Sequence, residues 1–350
     1  MDPALYKKFT ASRGLQYYYL AFPGDTNKPI LLFLHGFPST SYDWKHQVEF
    51  FKARGYRLIV PDMLGYGETS KPTDPSAYRQ SLITKDIVEL LDAENADRVI
   101  AIGHDWGALT ASRLANYYPD RFLAFGFLAA GYYPPNMPQP YEEAMQTLKQ
   151  HIGTELYGYW SFLSETDAHT KVEKNLDSLY TLLFCEDPEL WKEYMNPPGG
   201  LKKWIENKHT TKVGSFITEE ASRLPEYVMQ YLTFYQDQRI QKEKMRNNGL
   251  EAALCYYKAT TSNIYAEDLR ENPPKIIELT MPVFFGGASK DFVCRADMHK
   301  EAVEQRCKDA TIHVYNTGHW VQLQAIRMNL TRTYWHGFRL FRRKRNDNKI

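Results

Sequence analysis

The chain has 350 residues, a formal net charge of +1, 43% hydrophobic and 24% charged residues, and four cysteines. That length suits one large domain, or one domain carrying an insert, and the near-neutral balance supplies no long-range field to recruit nucleic acid or an anionic membrane. Cys185, Cys255, Cys294 and Cys307 contain no CxxC pair and no His/Cys spacing suited to zinc, which predicts free thiols in a reducing compartment and no metal site.

The opening stretch MDPALYKKFTASRG has no apolar h-region, and no apolar run is long enough to span a bilayer. The expectation is a cytoplasmic protein. Two strand-like runs follow, Gln16 to Phe22 and Ile30 to Leu34, the second apolar throughout as a strand buried on both faces should be. After the loop His35-Gly36-Phe37-Pro38, residues Tyr42 to Ala53 read as a helix ended by Gly55. Tyr56 to Val60 reads as a strand, Ser81 to Leu91 as a helix, and Arg98 to Ile102 as a strand. Gly107 to Tyr118 reads as a helix stopped by Pro119, and Phe122 to Ala129 as a strand.

The alternation then stops. From about Gly131 to Tyr265 the chain is mostly helical in pattern, rich in aromatics and broken at Pro134-Pro135 and Pro197-Pro198-Gly199-Gly200. It resumes with strand Val283 to Phe285, a helix near Ala296 to Arg306, strand Thr311 to Tyr315 and a last helix after His319. Alternating strands and helices of these lengths predict an α/β fold, a mostly parallel sheet covered on both faces. The expected organisation is a core of residues 1–130 and 266–350 with a helical cap subdomain, 131–265, inserted in it. The dense basic run Arg342 to Arg345 reads as a solvated tail, with a nuclear address as the alternative.

The most informative segment is Val99 to Leu109, VIAIGHDWGAL, where a buried strand runs into a helix with glycines two residues before and after Asp105. This is the small-x-nucleophile-x-small spacing of a nucleophile elbow, a strained turn that projects its central side chain clear of the sheet beside a helix N-terminus. The competing reading is a strand-to-helix loop whose Asp is merely an N-cap. An elbow hydrolase also needs an acid and a histidine later in the chain, in that order. Asp291 follows strand Val283 to Phe285, and His319 follows the next strand, so both belong at the carboxyl edge of the sheet, where the ligand crevice of an open α/β fold is found. Asp297, further on in the predicted helix, is a weaker alternative acid. The backbone of His35-Gly36-Phe37-Pro38 is expected to face the elbow, so that the N–H groups of Phe37 and Trp106 form an oxyanion hole.

With these pieces the sequence resembles the α/β-hydrolase superfamily, and within it the soluble epoxide hydrolases and the related dehalogenases, which use Asp rather than Ser as nucleophile. The resemblance runs from Tyr17 to about Leu330. It rests on HGFP (35–38), DMLGYGETSKP (62–72), GHDWG (103–107), SKDFV (289–293) and GHW (318–320). Haloalkane dehalogenases resemble HGNP at the first loop, with a side-chain amide for the halide; here that position is Phe37. Fluoroacetate dehalogenases resemble HGFP but follow the nucleophile with arginine; here Trp106 follows. An epoxide oxygen leaves as an alkoxide and needs a proton donor, which in epoxide hydrolases is a pair of cap tyrosines. Tyr157 to Phe162 resembles the first cap motif, with Tyr159 in the matching place. Gly249 to Lys258 resembles the second, with Tyr257 on the oxygen and Tyr256 where Trp is usual.

The resemblance therefore implies an epoxide hydrolase without metal or organic cofactor. Asp105 forms the alkyl ester, and His319, oriented by Asp291, activates the water that hydrolyses it. Tyr159 and Tyr257 bind the ring oxygen, with Trp106 and Phe37 completing the substrate site. The expected partner is a small apolar epoxide, not nucleic acid, and the expected assembly is a monomer or homodimer. The alternatives are a haloalkane or haloacid dehalogenase with the same nucleophile, a non-catalytic small-molecule receptor on this fold, or an enzyme that opens an epoxide with an internal hydroxyl.

Overall fold

A computed structural model describes residues 1–135, 139–218 and 226–325, with no side chains described for 217–218 and 226–236. The basic run at 342–345 lies outside the described residues. The first half of the chain forms strands β1 (Tyr6–Thr10), β2 (Gln16–Phe22), β3 (Ile30–Leu34), β4 (Leu58–Pro61), β5 (Val99–His104) and β6 (Phe122–Leu128). Helices α1 (Lys45–Lys52), α2 (Gln80–Ala93) and α3 (Trp106–Tyr117) lie between them. A helical segment follows: α4 (Tyr141–Ile152), α5 (Tyr159–Leu163), α6 (Ala168–Lys174), α7 (Leu176–Leu183), α8 (Leu190–Tyr194), α9 (Gly200–Glu206), α10 (Glu226–Asn248), α11 (Cys255–Thr261) and α12 (Ile264–Glu271). The sheet then resumes with β7 (Val283–Ala288), α13 (Ala296–Arg306), β8 (Ala310–Tyr315) and the short α14 (Val321–Gln324).

The eight strands form one sheet in the order β1-β2-β4-β3-β5-β6-β7-β8. From β4 to β8 every pairing is parallel, while β2 runs antiparallel to both β1 and β4. Strand β5 is buried along its whole length and β3 from Leu31 onward, as VIAIGH and ILLFL require when helices cover both faces. Strand β1 was not expected from sequence. Its residues YKKFT carry two exposed lysines and no apolar alternation, as suits an edge strand that pairs on one side only; Tyr6 stacks on Tyr18 with ring centroids 4.7 Å apart. Helix α1 is shorter than predicted because Ser41–Trp44 form a 3-10 turn in front of it.

The chain leaves β3 for β4 on one side and returns to β5 on the other, so the carboxyl ends of β3 and β5 flank the point where strand order reverses. The register pairs Leu34 with Gly103, which sets the HGFP loop directly beside the elbow. On the other side, Leu128 pairs with Gly286 and Ala288 with Tyr315, bringing the loops after β7 and β8 to the same edge. Helix α12 runs across residue 265 and is tied to the start of α2, where Asp268 accepts the Ser81 N–H at 2.9 Å. Among the described residues no helix is long and apolar enough to cross a membrane.

Candidate active site

Asp105 sits between β5 and α3 at φ 54°, ψ −123°, a conformation that a non-glycine residue adopts only when its surroundings enforce it. The enforcement is steric. A Cβ on Gly107 would lie 2.1 Å from the Leu34 carbonyl oxygen, and one on Gly103 would lie 2.3 Å from the Gly107 carbonyl oxygen. Only with both positions bare do strand and helix close on the sheet tightly enough to lift Asp105 above its edge.

The two oxygens of Asp105 have different neighbours. Oδ1 accepts the Phe37 N–H at 2.9 Å, and Oδ2 lies 3.7 Å from His319 Nε2. His319 Nδ1 in turn donates to Asp291 Oδ2 at 2.7 Å, while Asp291 Oδ1 accepts the N–H groups of Val293 and Cys294, each at 2.9 Å. The sequence-predicted Asp105, His319 and Asp291 thus come together in one row, His319 and Asp291 buried and Asp105 partly so. Asp297 is turned away from it; its carboxylate pairs with Arg295 at 2.6 Å on the surface. His104, immediately before the nucleophile position, bonds through Nε2 to the His319 backbone oxygen at 3.0 Å and packs its ring on that of His319.

Burial acts on all three groups, and their charges decide the outcome. Burial raises Asp105 above the ordinary carboxylate range, opposed by His319 and by the amides of Phe37 and Trp106. For His319 burial pulls the other way, but the Asp291 charge and hydrogen bond, with Asp105 behind them, outweigh it and raise its affinity for a proton. Asp291 would also rise on burial, yet His319 and the two backbone N–H groups hold it below its usual value. The result is an ionised acid holding a strengthened base.

A small, partly open cavity lies over Asp105, lined by Phe37, Tyr159, Tyr257 and His319 together with Leu183, Trp191, Met195, Val293 and Trp320. Tyr159 opens α5 and Tyr257 lies in α11; their rings meet edge to face at 5.8 Å. Burial, and then the nearby Asp105 carboxylate, hold the Tyr159 phenol well above its usual range; for Tyr257 the order is burial, Tyr159, Asp105. Both therefore remain protonated. Trp106 hydrogen-bonds through its side chain to Tyr257, which lines this cavity. Its indole meets the Tyr257 ring edge to face at 5.2 Å within an aromatic cluster, and its backbone N–H bonds to Asp105.

Sequence reasoning did not single out Trp191, Met195 or Leu183, because apolar helical residues carry no mark of facing a cavity rather than a core. Cys294 was also read only as a free thiol. It is buried, and its Sγ, a carboxylate oxygen of Asp291 and a ring nitrogen of His319 all lie within 4.8 Å of one another. No sequence spacing reveals such a set, since its members come from two loops brought together by the β7–β8 register.

Among curated proteins, the chain is similar to bifunctional epoxide hydrolase 2 of Mus musculus, 24% identical over 299 residues, which is 85% of this chain and 49% of that protein. It is similar to epoxide hydrolase 3 of Siraitia grosvenorii, 40% identical over 119 residues, 34% of this chain and 38% of that protein. The chain thus spans half or less of the length of these relatives. Among solved structures it resembles an epoxide hydrolase from an endophytic Streptomyces, with a TM-score of 0.77 at 22% identity over 97% of this chain and 96% of that one. It also resembles epoxide hydrolase A from Mycobacterium thermoresistibile, with a TM-score of 0.71 at 23% identity over 95% of this chain and 98% of that one. The model of the alpha/beta hydrolase fold matches residues 29–326, which take in the elbow, both later loops and the whole helical segment, and the chain belongs to that family.

Proposed function

We propose that this protein is an epoxide hydrolase that converts an apolar organic epoxide to a vicinal diol through an alkyl ester on Asp105. The observation that carries this reading is one small cavity lined by both the Asp105 carboxylate and two protonated phenols. A carboxylate and a proton donor facing each other across a small space are what opening a strained C–O bond needs, since the departing alkoxide is too basic to leave unassisted. Residues 131–265 act as the cap that brings the phenols over the core formed by 1–130 and 266–350. The remaining apolar lining favours a hydrophobic substrate.

In the first half-reaction Asp105 Oδ2 attacks one epoxide carbon, the C–O bond breaks, and Tyr159 or Tyr257 gives its proton to the ring oxygen. In the second, His319 Nε2 takes a proton from water, and the hydroxide attacks the ester carbonyl carbon. The oxyanion develops on Oδ1, which the Phe37 N–H already holds at 2.9 Å. Collapse releases the second alcohol oxygen, which takes the proton from His319, and the proton left on Asp105 returns to the phenolate. Asp291 keeps the imidazole in the productive tautomer.

The test is mass spectrometry after incubation with a racemic aryl or alkyl epoxide. His319→Gln is expected to accumulate protein heavier by one epoxide, and Asp105→Ala to show no adduct. An adduct that persists in Asp105→Ala would sink the assignment of the nucleophile. Halide release from haloalkanes or haloacids, without diol formation from epoxides, would replace this reading by that of a dehalogenase.

A further inference from the structure

Cys294 is a buried nucleophile beside the triad that the proposed reaction leaves unused. Its backbone N–H helps hold Asp291 Oδ1, while its thiol shares the space occupied by Asp291 and His319. A thiol, an imidazole and a carboxylate are the three side-chain donors that zinc takes, and here all three are buried in the loops after β7 and β8. The charge balance points the same way. Asp105 and Asp291 both contact His319, and among the described residues neither carboxylate forms an ion pair with a Lys or Arg.

We propose that Asp291, Cys294 and His319 form a latent site for a thiophilic divalent cation of the zinc class, whose occupancy switches the triad off. Tetrahedral coordination with bonds of roughly 2.0–2.3 Å needs ligand atoms separated by about 3.3–3.8 Å, so a set already within 4.8 Å closes by small side-chain shifts. The ion displaces the thiol proton, which passes to solvent, while the imidazole proton that now bridges to Asp291 moves to Nε2, and a water fills the fourth position. With the imidazole ligated and its hydrogen bond to Asp291 gone, no base remains to activate water. The ion need not enter the catalytic cavity, because Asp291 also borders a broad groove lined by Asn196, Phe292 and Arg295.

The experiment is titration of the chelator-treated full chain with Zn2+ by calorimetry, and with Co2+ by absorption spectroscopy, on wild type, Cys294→Ala and Cys294→Ser. The expected results are a thiolate-to-Co2+ charge-transfer band in wild type that neither variant shows, and a loss of Zn2+ affinity of at least about tenfold in both variants. Release of about one proton per Zn2+ in wild type, lost in both variants, is the third expected mark. Unchanged Zn2+ affinity in a folded Cys294 variant, or a Co2+ spectrum without the thiolate band, overturns the proposal. The serine variant keeps the side-chain volume, so a folding failure of the alanine variant does not obscure the answer. None of these readouts requires turnover of an epoxide, so they stand or fall apart from the enzymatic reading.

Discussion

The two phenols and the acid of the triad each have a kinetic signature of their own. Tyr159 and Tyr257 stay protonated because burial and the Asp105 charge both disfavour phenolate. Replacing either by Phe is expected to slow ester formation, and replacing both to slow it by about 10²–10⁴-fold, the usual range for losing a general acid. Single-turnover alkylation in a His319→Gln background reads this directly, and an unchanged alkylation rate in the double variant would remove the tyrosines from the mechanism. In the proposed reaction the raised proton affinity of His319 sets the pH dependence. Only the neutral imidazole accepts a proton from water, so ester hydrolysis is lost as pH falls through a pKa that lies above the ordinary histidine value. Asp291→Asn removes the main cause of that rise. The acid limb of ester hydrolysis is then expected to move to lower pH, while the plateau falls because the tautomer is no longer fixed. A limb that stays in place would mean that Asp291 does not govern the His319 base.

At the scale of elements, the elbow depends on how closely three segments approach. A Cβ on Gly36 would lie 2.1 Å from Asp105 Oδ1, so the β3 loop can reach the nucleophile only as glycine. Gly36→Ala must push the carboxylate aside, and a displacement of about 1 Å at a reacting group costs on the order of 10²-fold in rate. The expected outcome is a fall in kcat of that size with a thermal midpoint close to wild type; unchanged kcat would show that the loop gives way instead. The strands and helices of the core were legible because β3 and β5 are apolar throughout and the alternation with helices is regular. Strand β1 was not, because its two exposed lysines leave no apolar alternation to read. Within the helical segment, element ends fall where backbone geometry rather than periodicity dictates. Tyr157, for example, takes φ 61° just before α5 and so turns Tyr159 into the helix that faces the cavity.

For the molecule as a whole, the helical segment is held to the core by buried polar links as well as by apolar contact. Asp237 of α10 accepts the Tyr42 hydroxyl at 2.6 Å and pairs with Lys45, and Gln241 bridges Asp43 and Tyr180 with bonds of 2.8 and 2.7 Å. Both members of the Lys45–Asp237 pair are largely buried, so removing one strands the other away from water. Asp237→Ala is expected to destabilise the fold by about 3–5 kcal/mol, measured by urea unfolding; a loss below about 1 kcal/mol would place the pair with ordinary surface bridges.

The sequence by itself determined the parallel core, the elbow at Asp105, the chain order of acid and histidine, and the two tyrosine motifs. Each of these is written in local pattern: apolar runs, glycine spacing, and residues just after strands. Only the tertiary structure decided that Asp291 rather than Asp297 reaches His319, and that Cys294 shares the space of Asp291 and His319. Those are facts about which side chains meet across loops far apart in the chain. They are set by strand register and close packing, which no window of sequence contains.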